Sequence, residues 1–218
     1  MILQGLITGP FQGNCFIAGC ERTRETLVVD PGDDGEDILA LLERHQLTVK
    51  LIACTHAHID HIGAVQPLRE VTQAPLAMHR DAYATSGGQS RFAAAMMGRM
   101  PQPVTEPEQF IDEDDELAVG DLLFQVLYCP GHAPGHLCFH GEGVVFTGDV
   151  LFQSSIGRFD LPGGDGRLLL RNIRDKLLVL PDETLVLPGH GPTTTIGQEK
   201  QQNPFILYPR SVMGIDPD

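Results

Sequence analysis

The chain predicts an α/β fold in which two sheets are covered by outer helices, and three observations carry that expectation. Short runs rich in Val, Leu, Ile and Phe recur between turn residues, amphipathic segments separate them, and the second half of the chain repeats the scheme of the first. In the first half the strands are Cys15 to Ala18, Thr26 to Val29 closed by Asp30-Pro31-Gly32, Val49 to Cys54, and Pro75 to His79. Ile38, Leu41, Leu42 and Leu47 share roughly one face of a helix. Ile62, Val65, Leu68 and Val71 share a face of another, which Pro67 should start, kink or interrupt. The second half supplies strands at Glu116 to Ala118, Leu122 to Tyr128, Leu137 to His140 and Val144 to Thr147. A helix around Leu168 to Leu178 and a strand at Thr184 to Leu187 follow. There is no literal repeat, and the acidic run Asp112 to Glu116 reads as a solvated turn. The segment from Asp81 to Pro103 fits neither half. Phe92, Met96, Met97 and Met100 fall at helical spacing and read as a helix packed on the core, with a flexible lid beside a substrate site as the alternative.

The 218 residues are 42% hydrophobic and 20% charged, which is enough to bury a core as one domain over 1–218. A net charge of −14 argues against a broad electrostatic hold on nucleic acid or an anionic membrane, while leaving room for a small anionic substrate to meet a few arginines. No stretch reaches the roughly 18 apolar residues of a membrane span. The opening MILQGLITGP lacks a basic leader segment, so a cytoplasmic protein is expected, as a monomer or a homodimer. Five cysteines without a CxxC fit reduced thiols packed as small hydrophobes.

The stretch THAHIDH, residues 55–61, follows the apolar run Leu51 to Cys54. On a strand His56, His58 and Asp60 share a face and His61 does not; on a helix His58 joins His61 and His56 is lost. A chain that leaves a strand at Thr55 and enters a helix near His61 gathers all four. The same event recurs at three further strand ends: LLFQVLYCPGH brings His132, VVFTGD brings Asp149 and TLVLPGH brings His190. Five imidazoles and two carboxylates suit borderline divalent ions such as zinc and exceed the four ligands of a closed structural site, so two ions with open positions are expected. His136 is expected to support the ligands or pack its loop rather than bind, and His45, His79 and His140 are expected at the surface or rim.

Taken in order, THAHIDH, PGHAPGH, TGD and PGHG resemble the motifs of the metallo-β-lactamase fold superfamily. That resemblance implies an αβ/βα four-layer sandwich of two similar halves with metals at one edge of the sheets. It implies that His56, His58 and His132 hold one metal, that Asp60, His61 and His190 hold the other, and that Asp149 bridges them. Zinc is the first expectation, with iron or manganese as alternatives. Within the superfamily, SIGRFDLPGGD at 155–165 and PGHGPTTTIGQEKQQNPF at 188–205 resemble small bacterial hydroxyacylglutathione hydrolases, the glyoxalase II group. The narrower resemblance implies hydrolysis of a thioester such as S-lactoylglutathione, with Asp60 orienting the attacking water and accepting its proton. Arg158, and after it Lys200 and Arg210, are the candidates for contact with a carboxylate-bearing substrate.

Two rivals differ in class. A glutathione persulfide dioxygenase of the same superfamily would use one iron on His56, His132 and Asp149, and a non-catalytic metal-binding module would use the ligands structurally. The PGHGP tail fits the hydrolases better, and a structural site has no need of so many ligands. A nucleic acid phosphodiesterase is disfavoured by the charge, and a β-lactamase by the lack of a secretory leader.

Overall fold

A computed structural model describes residues 1–87, 95, 96, 98, 100 and 102–215. Its first half runs β1 (Ile2–Thr8), β2 (Gly13–Gly19), β3 (Glu25–Val29), α1 (Gly35–Arg44), β4 (Thr48–Ala53), α2 (Ile59–Ile62), α3 (Val65–Thr72), β5 (Leu76–Met78), α4 (Arg80–Ser86) and β6 (Gln109–Phe110). These strands form a six-stranded sheet in sequential order, antiparallel from β1 to β3 and parallel from β3 to β6. The second half contributes β7 (Glu116–Val119), β8 (Leu122–Tyr128), β9 (Leu137–Gly141), β10 (Val144–Gly148), a small hairpin of β11 (Leu151–Phe152) and β12 (Ser155–Ile156), and α5 (Gly166–Asn172). Then come β13 (Leu185–Pro188), β14 (Thr194–Thr195), α6 (Ile196–Gln202), α7 (Pro204–Leu207) and α8 (Pro209–Met213). The second six-stranded sheet has the order β14, β13, β10, β9, β8, β7.

Period-two alternation explains the layers. Phe16 and Ala18 of β2, Leu27 and Val29 of β3, and Leu51 and Ala53 of β4 pack between the sheets against Phe124, Phe139 and Phe146. Their neighbours Cys15, Ile17, Val28 and Ile52 turn the other way, onto Ile38 and Leu42 of α1 and Val65 and Leu68 of α3. On the far side Cys138, Val145 and Val186 meet Leu169 and Leu170 of α5 and Ile196 of α6. The result is two sheets covered by outer helices, as the two similar halves predict, in the four-layer αβ/βα order that the family resemblance implies. Strands buried on both faces read as unbroken apolar runs, which is why they were visible in the sequence.

Several elements depart from expectation. β1 is an edge strand with half-buried residues, and its alternation is too weak to mark it. The helix predicted from Ile62 to Val71 is two pieces, α2 and α3, parted at Gly63 and Ala64, with Pro67 inside the first turn of α3 where its missing N–H is tolerated. Val71 is 64% exposed, off the buried face. His79 is 8% exposed rather than at the surface, stacked on Tyr128 and accepting from the Asp81 N–H at the start of α4. Of the segment predicted as core helix or lid, Phe92 and Met97 lie outside the described residues, and Met96 and Met100 are exposed. All five cysteines are buried and unbridged, and burial pushes the Cys54 and Cys138 thiols far above their ordinary range. Among the described residues no helix is long and apolar enough to cross a membrane.

Candidate metal centre

The centre forms where strands of both sheets end. β4 runs out through Cys54 into Thr55, whose N–H and hydroxyl both donate to the Asp30 carboxylate at 2.7 Å. Asp30 follows β3, the parallel neighbour of β4, in a left-handed conformation at φ 51°. This clamp fixes the loop 55–61 before α2 begins after His58, and α2 carries Asp60 and His61 in its first turn. The loop lies hard against the β3 exit: a Cβ at Gly32 would sit 1.7 Å from the Asp60 carbonyl oxygen, so only glycine fits there.

From the other sheet, His132 follows β8, Asp149 follows β10 and His190 follows β13. His58 Nδ1 lies 3.0 Å from both His56 Nε2 and His132 Nε2, and His132 Nε2 lies 3.5 Å from Asp149 Oδ2. Beside this group, His190 Nε2 is 3.1 Å from Asp60 Oδ2, and His61 Nε2 is 3.4 Å from Asp149 Oδ1. The strand ends thus bring together all seven residues expected as ligands, in two groups that meet at Asp149.

The outward-facing ring nitrogens fix which nitrogen faces in. His132 Nδ1 lies 2.7 Å from the Arg158 carbonyl oxygen and His190 Nδ1 lies 3.2 Å from that of Gln12; a carbonyl only accepts, so each Nδ1 carries the proton. Thr55 spends its hydroxyl proton on Asp30 and accepts from His56 Nδ1, while His61 Nδ1 donates to Asp30 at 3.1 Å. At four imidazoles Nδ1 is therefore the outward donor, which leaves Nε2 as the atom turned toward the cluster and toward a cation bound there. His61 Nε2 and Asp149 Oδ1 are buried without a hydrogen-bond partner among the described residues, and both belong to the cluster. Native interiors rarely leave such atoms unpaired, and a divalent cation would satisfy them. The donor set fits.

Charge points the same way. Burial and the neighbouring imidazoles push His58 down to about 4 and His132 down to about 3, so both are neutral lone-pair donors at pH 7. Burial works against charge on His61 and on Asp60. For His61 the carboxylates of Asp149, Asp60 and Asp30 outweigh it and raise the ring to about 10; for Asp60, His61 and His190 outweigh it and hold the carboxyl below its usual range. Burial holds Asp149 above that range. A buried histidine kept protonated by three carboxylates marks a place where positive charge is wanted.

Asp30 is the residue that sequence reasoning missed as functional. Asp-Pro-Gly read as turn punctuation, yet the signal was an acid ending a buried strand beside the strand that leads into THAHIDH. His136 supports as expected: its Nε2 accepts from the Asp149 N–H at 3.1 Å and its ring stacks on His56. Of the three basic candidates, Arg158 sits at the rim with its side chain paired to Asp160 at 2.8 and 2.9 Å. Lys200 is not brought to the cluster. Its amine is held by Asp182 at 2.5 Å and by the Leu180 carbonyl, both before β13, whereas His190 lies beyond the other end of that strand. Arg210 is exposed on α8.

A four-layer αβ/βα sandwich with His and Asp donors clustered at one edge of its sheets has the architecture of a metal-binding α/β fold. The sequence pattern of the Metallo-beta-lactamase superfamily matches residues 8–190, and the chain belongs to that superfamily. It is 38% identical over 200 residues to a probable metallo-hydrolase, YqgX, of Bacillus subtilis, covering 91% of this chain and 94% of the relative. To the hydroxyacylglutathione hydrolase GloC of Haemophilus influenzae it is 36% identical over 201 residues, covering 90% and 93%. Among solved structures, BLEG-1 B3 metallo-beta-lactamase superposes with a TM-score of 0.84 at 40% identity, covering 94% of this chain and 99% of that one. TTHA1623 in a di-iron-bound form gives 0.81 at 39% identity, covering 93% and 99%. ETHE1 from Myxococcus xanthus gives 0.80 at 31% identity, covering 94% and 84%.

Proposed function

We propose that the chain hydrolyses a hydroxyacyl thioester, of which S-lactoylglutathione is the type, using two divalent ions. His56, His58 and His132 would hold one ion, Asp60, His61 and His190 the other, with Asp149 between them. The observation that carries this reading is that Asp60, His61 and His190 form a donor group of their own beside that of His56, His58, His132 and Asp149, together with similarity over nearly the whole chain to a hydroxyacylglutathione hydrolase.

A bound divalent pair would bring the pKa of a coordinated water near 7 and polarise the thioester carbonyl. The protein's own part is positioning and proton handling. Asp60, whose carboxyl stays ionised beside His61 and His190, orients the attacking water and takes up its proton. Asp149 and the carbonyl-anchored rings of His132 and His190 keep the donors in fixed register. The thiolate leaves without an acid because its conjugate thiol is already acidic, near 8.5. Zinc is proposed for both positions. Iron is the competing occupant, given the di-iron-bound relative.

The similarity to ETHE1 favours a second reading, a persulfide dioxygenase with one iron on His56, His132 and Asp149. That triad leaves Asp60, His61 and His190 without a task, although they form a group of their own. Purification without a metal-chelating tag, metal counting, and assay of S-lactoylglutathione hydrolysis by free thiol release test the proposal. Two metals per chain and thiol release support it. One iron with oxygen uptake on glutathione persulfide would replace it with the dioxygenase, and turnover of a β-lactam alone would replace it with a lactamase.

A further inference from the structure

Glu199 on α6 is fully buried, and none of its three hydrogen-bond donors is cationic. Its Oε2 accepts from the Ser154 N–H at 2.8 Å and from Asn203 Nδ2 at 2.8 Å, and its Oε1 accepts from the Thr194 hydroxyl at 2.6 Å. Asn203, equally buried, also donates to the Ser155 carbonyl at 2.9 Å. The pair therefore grips both Ser154 and Ser155, the tip of the β11–β12 hairpin, where Ser154 takes a left-handed φ of 55°. A buried carboxyl group is a costly way to stabilise a fold, since an apolar side chain of similar volume avoids the desolvation. What it provides is a fixed position for the groups that bond to it.

The other end of the hairpin stands in the metal centre. Asp149 precedes it, and Gly157 and Arg158 follow it, with the Gly157 N–H closing its base on the Val150 carbonyl. Gly157 is wedged so tightly that a Cβ would lie 1.8 Å from the Asp149 carbonyl oxygen and 3.1 Å from His132 Nδ1. The Arg158 carbonyl holds His132 Nδ1–H, and the Phe152 ring lies with its centroid 6.3 Å from that of His190. All three donors from the second sheet thus touch one hairpin or its immediate flanks. Its tip is set by Glu199.

We infer that Glu199 is a positioning residue for the metal centre, acting through the β11–β12 hairpin on His132, Asp149 and His190. The inference rests on the ligand assignment proposed above. Its test uses the full chain loaded with cobalt(II), read by visible absorption, by cobalt affinity in a competition titration, and by thermal melting. Glu199→Ala is expected to melt cooperatively, to lose about 10-fold in cobalt affinity and to shift the visible band. Glu199→Gln keeps one acceptor oxygen for Ser154 and Asn203 while its amide can donate to Thr194, so it is expected to restore both readouts. Should Glu199→Ala fail to fold, Glu199→Asp takes its place, because the shorter arm withdraws the carboxyl from Ser154 and the same shift is expected. A wild-type band and affinity in the shortened variant, with only a lower melting temperature, would mean an ordinary structural carboxyl and overturn the inference. A Gln variant as impaired as the Ala variant would overturn the hydrogen-bond account. Wild-type protein that binds no cobalt would overturn the ligand assignment instead.

Discussion

The two sheets feed the metal centre in different ways. The first sheet delivers four donors, His56, His58, Asp60 and His61, from one short stretch that runs from the end of β4 into the first turn of α2. The second delivers one donor from each of three strand ends, His132, Asp149 and His190. The first set is braced by a single hub, Asp30, which holds Thr55 and His61 directly and His56 through the Thr55 hydroxyl. The second is braced piecemeal, by the carbonyls of Arg158 and Gln12 and by the imidazole of His136. A local cluster needs one anchor; a dispersed one needs an anchor for each member.

The sharpest test of that contrast lies in the loop. Asp60→Ala is expected to lower turnover by roughly 10²- to 10⁴-fold, the range for removing a positioned acid or base, and to lower metal content much less. Parallel metal analysis and steady-state kinetics check this, and full activity or loss of folding would count against the role. Next in size, Asp30→Asn is expected to weaken metal binding about 10- to 100-fold, because the hub loses its charge toward His61 and one of its two acceptor oxygens. A competition titration measures it. Equal effects from Asp30→Asn and from His136→Ala, which removes a brace of the second set, would erase the distinction between hub and separate anchors.

Removing the metals should expose the acid side of the molecule. In the metal-free protein His58 at about 4 and His132 at about 3 lie below the 6.5 of an unfolded histidine, and burial sets His56 and His136 well below it too. Between those values and 6.5 the unfolded chain binds protons that the folded chain does not, so stability falls as pH drops through that window. His61, raised to about 10, has the opposite sign: its contribution is complete below 6.5 and is lost as pH rises through 10. The urea midpoint of the apoprotein is expected to fall between pH 6.5 and about 4.5, where the lowered His56, His58, His132, His136 and His140 outnumber the raised His61, His190 and Asp149. A flat midpoint would contradict the burial of these rings. Metal at 100 times its dissociation constant should add about 2.7 kcal/mol at neutral pH, read as a higher midpoint. The smallest effect belongs to Lys200→Ala, expected to leave KM unchanged and to alter stability by no more than about 1 kcal/mol, since its partner is a partly exposed carboxylate at the far end of β13.

What the sequence disclosed follows the same division. THAHIDH was legible because its donors are neighbours in the chain, and the layers were legible because buried strands read as apolar runs. His132, Asp149 and His190 could be picked out only by their shared place after a strand. Asp30 was hidden because Asp before Pro-Gly also makes a turn, and its task depends on β3 lying beside β4. Lys200 and Arg158 show a limit of the same reading: a basic residue in a promising stretch says nothing of the carboxylate that holds it, Asp182 or Asp160. β1 and His79 were missed because edge position and ring stacking are properties of the assembled sheets.

The turn between β1 and β2, together with the first residues of β2, reaches across to the last donor loop. Asn14 donates to the carbonyls of Pro188 and Gly191, at separations of 174 and 177 residues, and Gln12 holds His190. The ring of donors therefore closes by joining the β1–β2 turn to a loop that follows it by more than 170 residues. A nascent chain can display the THAHIDH loop early, yet it owns no complete cage until that late seam is sewn, so metal capture is expected to accompany the final step of folding. In refolding with cobalt(II) present, the visible band should rise with the last gain in far-ultraviolet ellipticity; a band that matures in the first burst would show that the early loop recruits its ion alone.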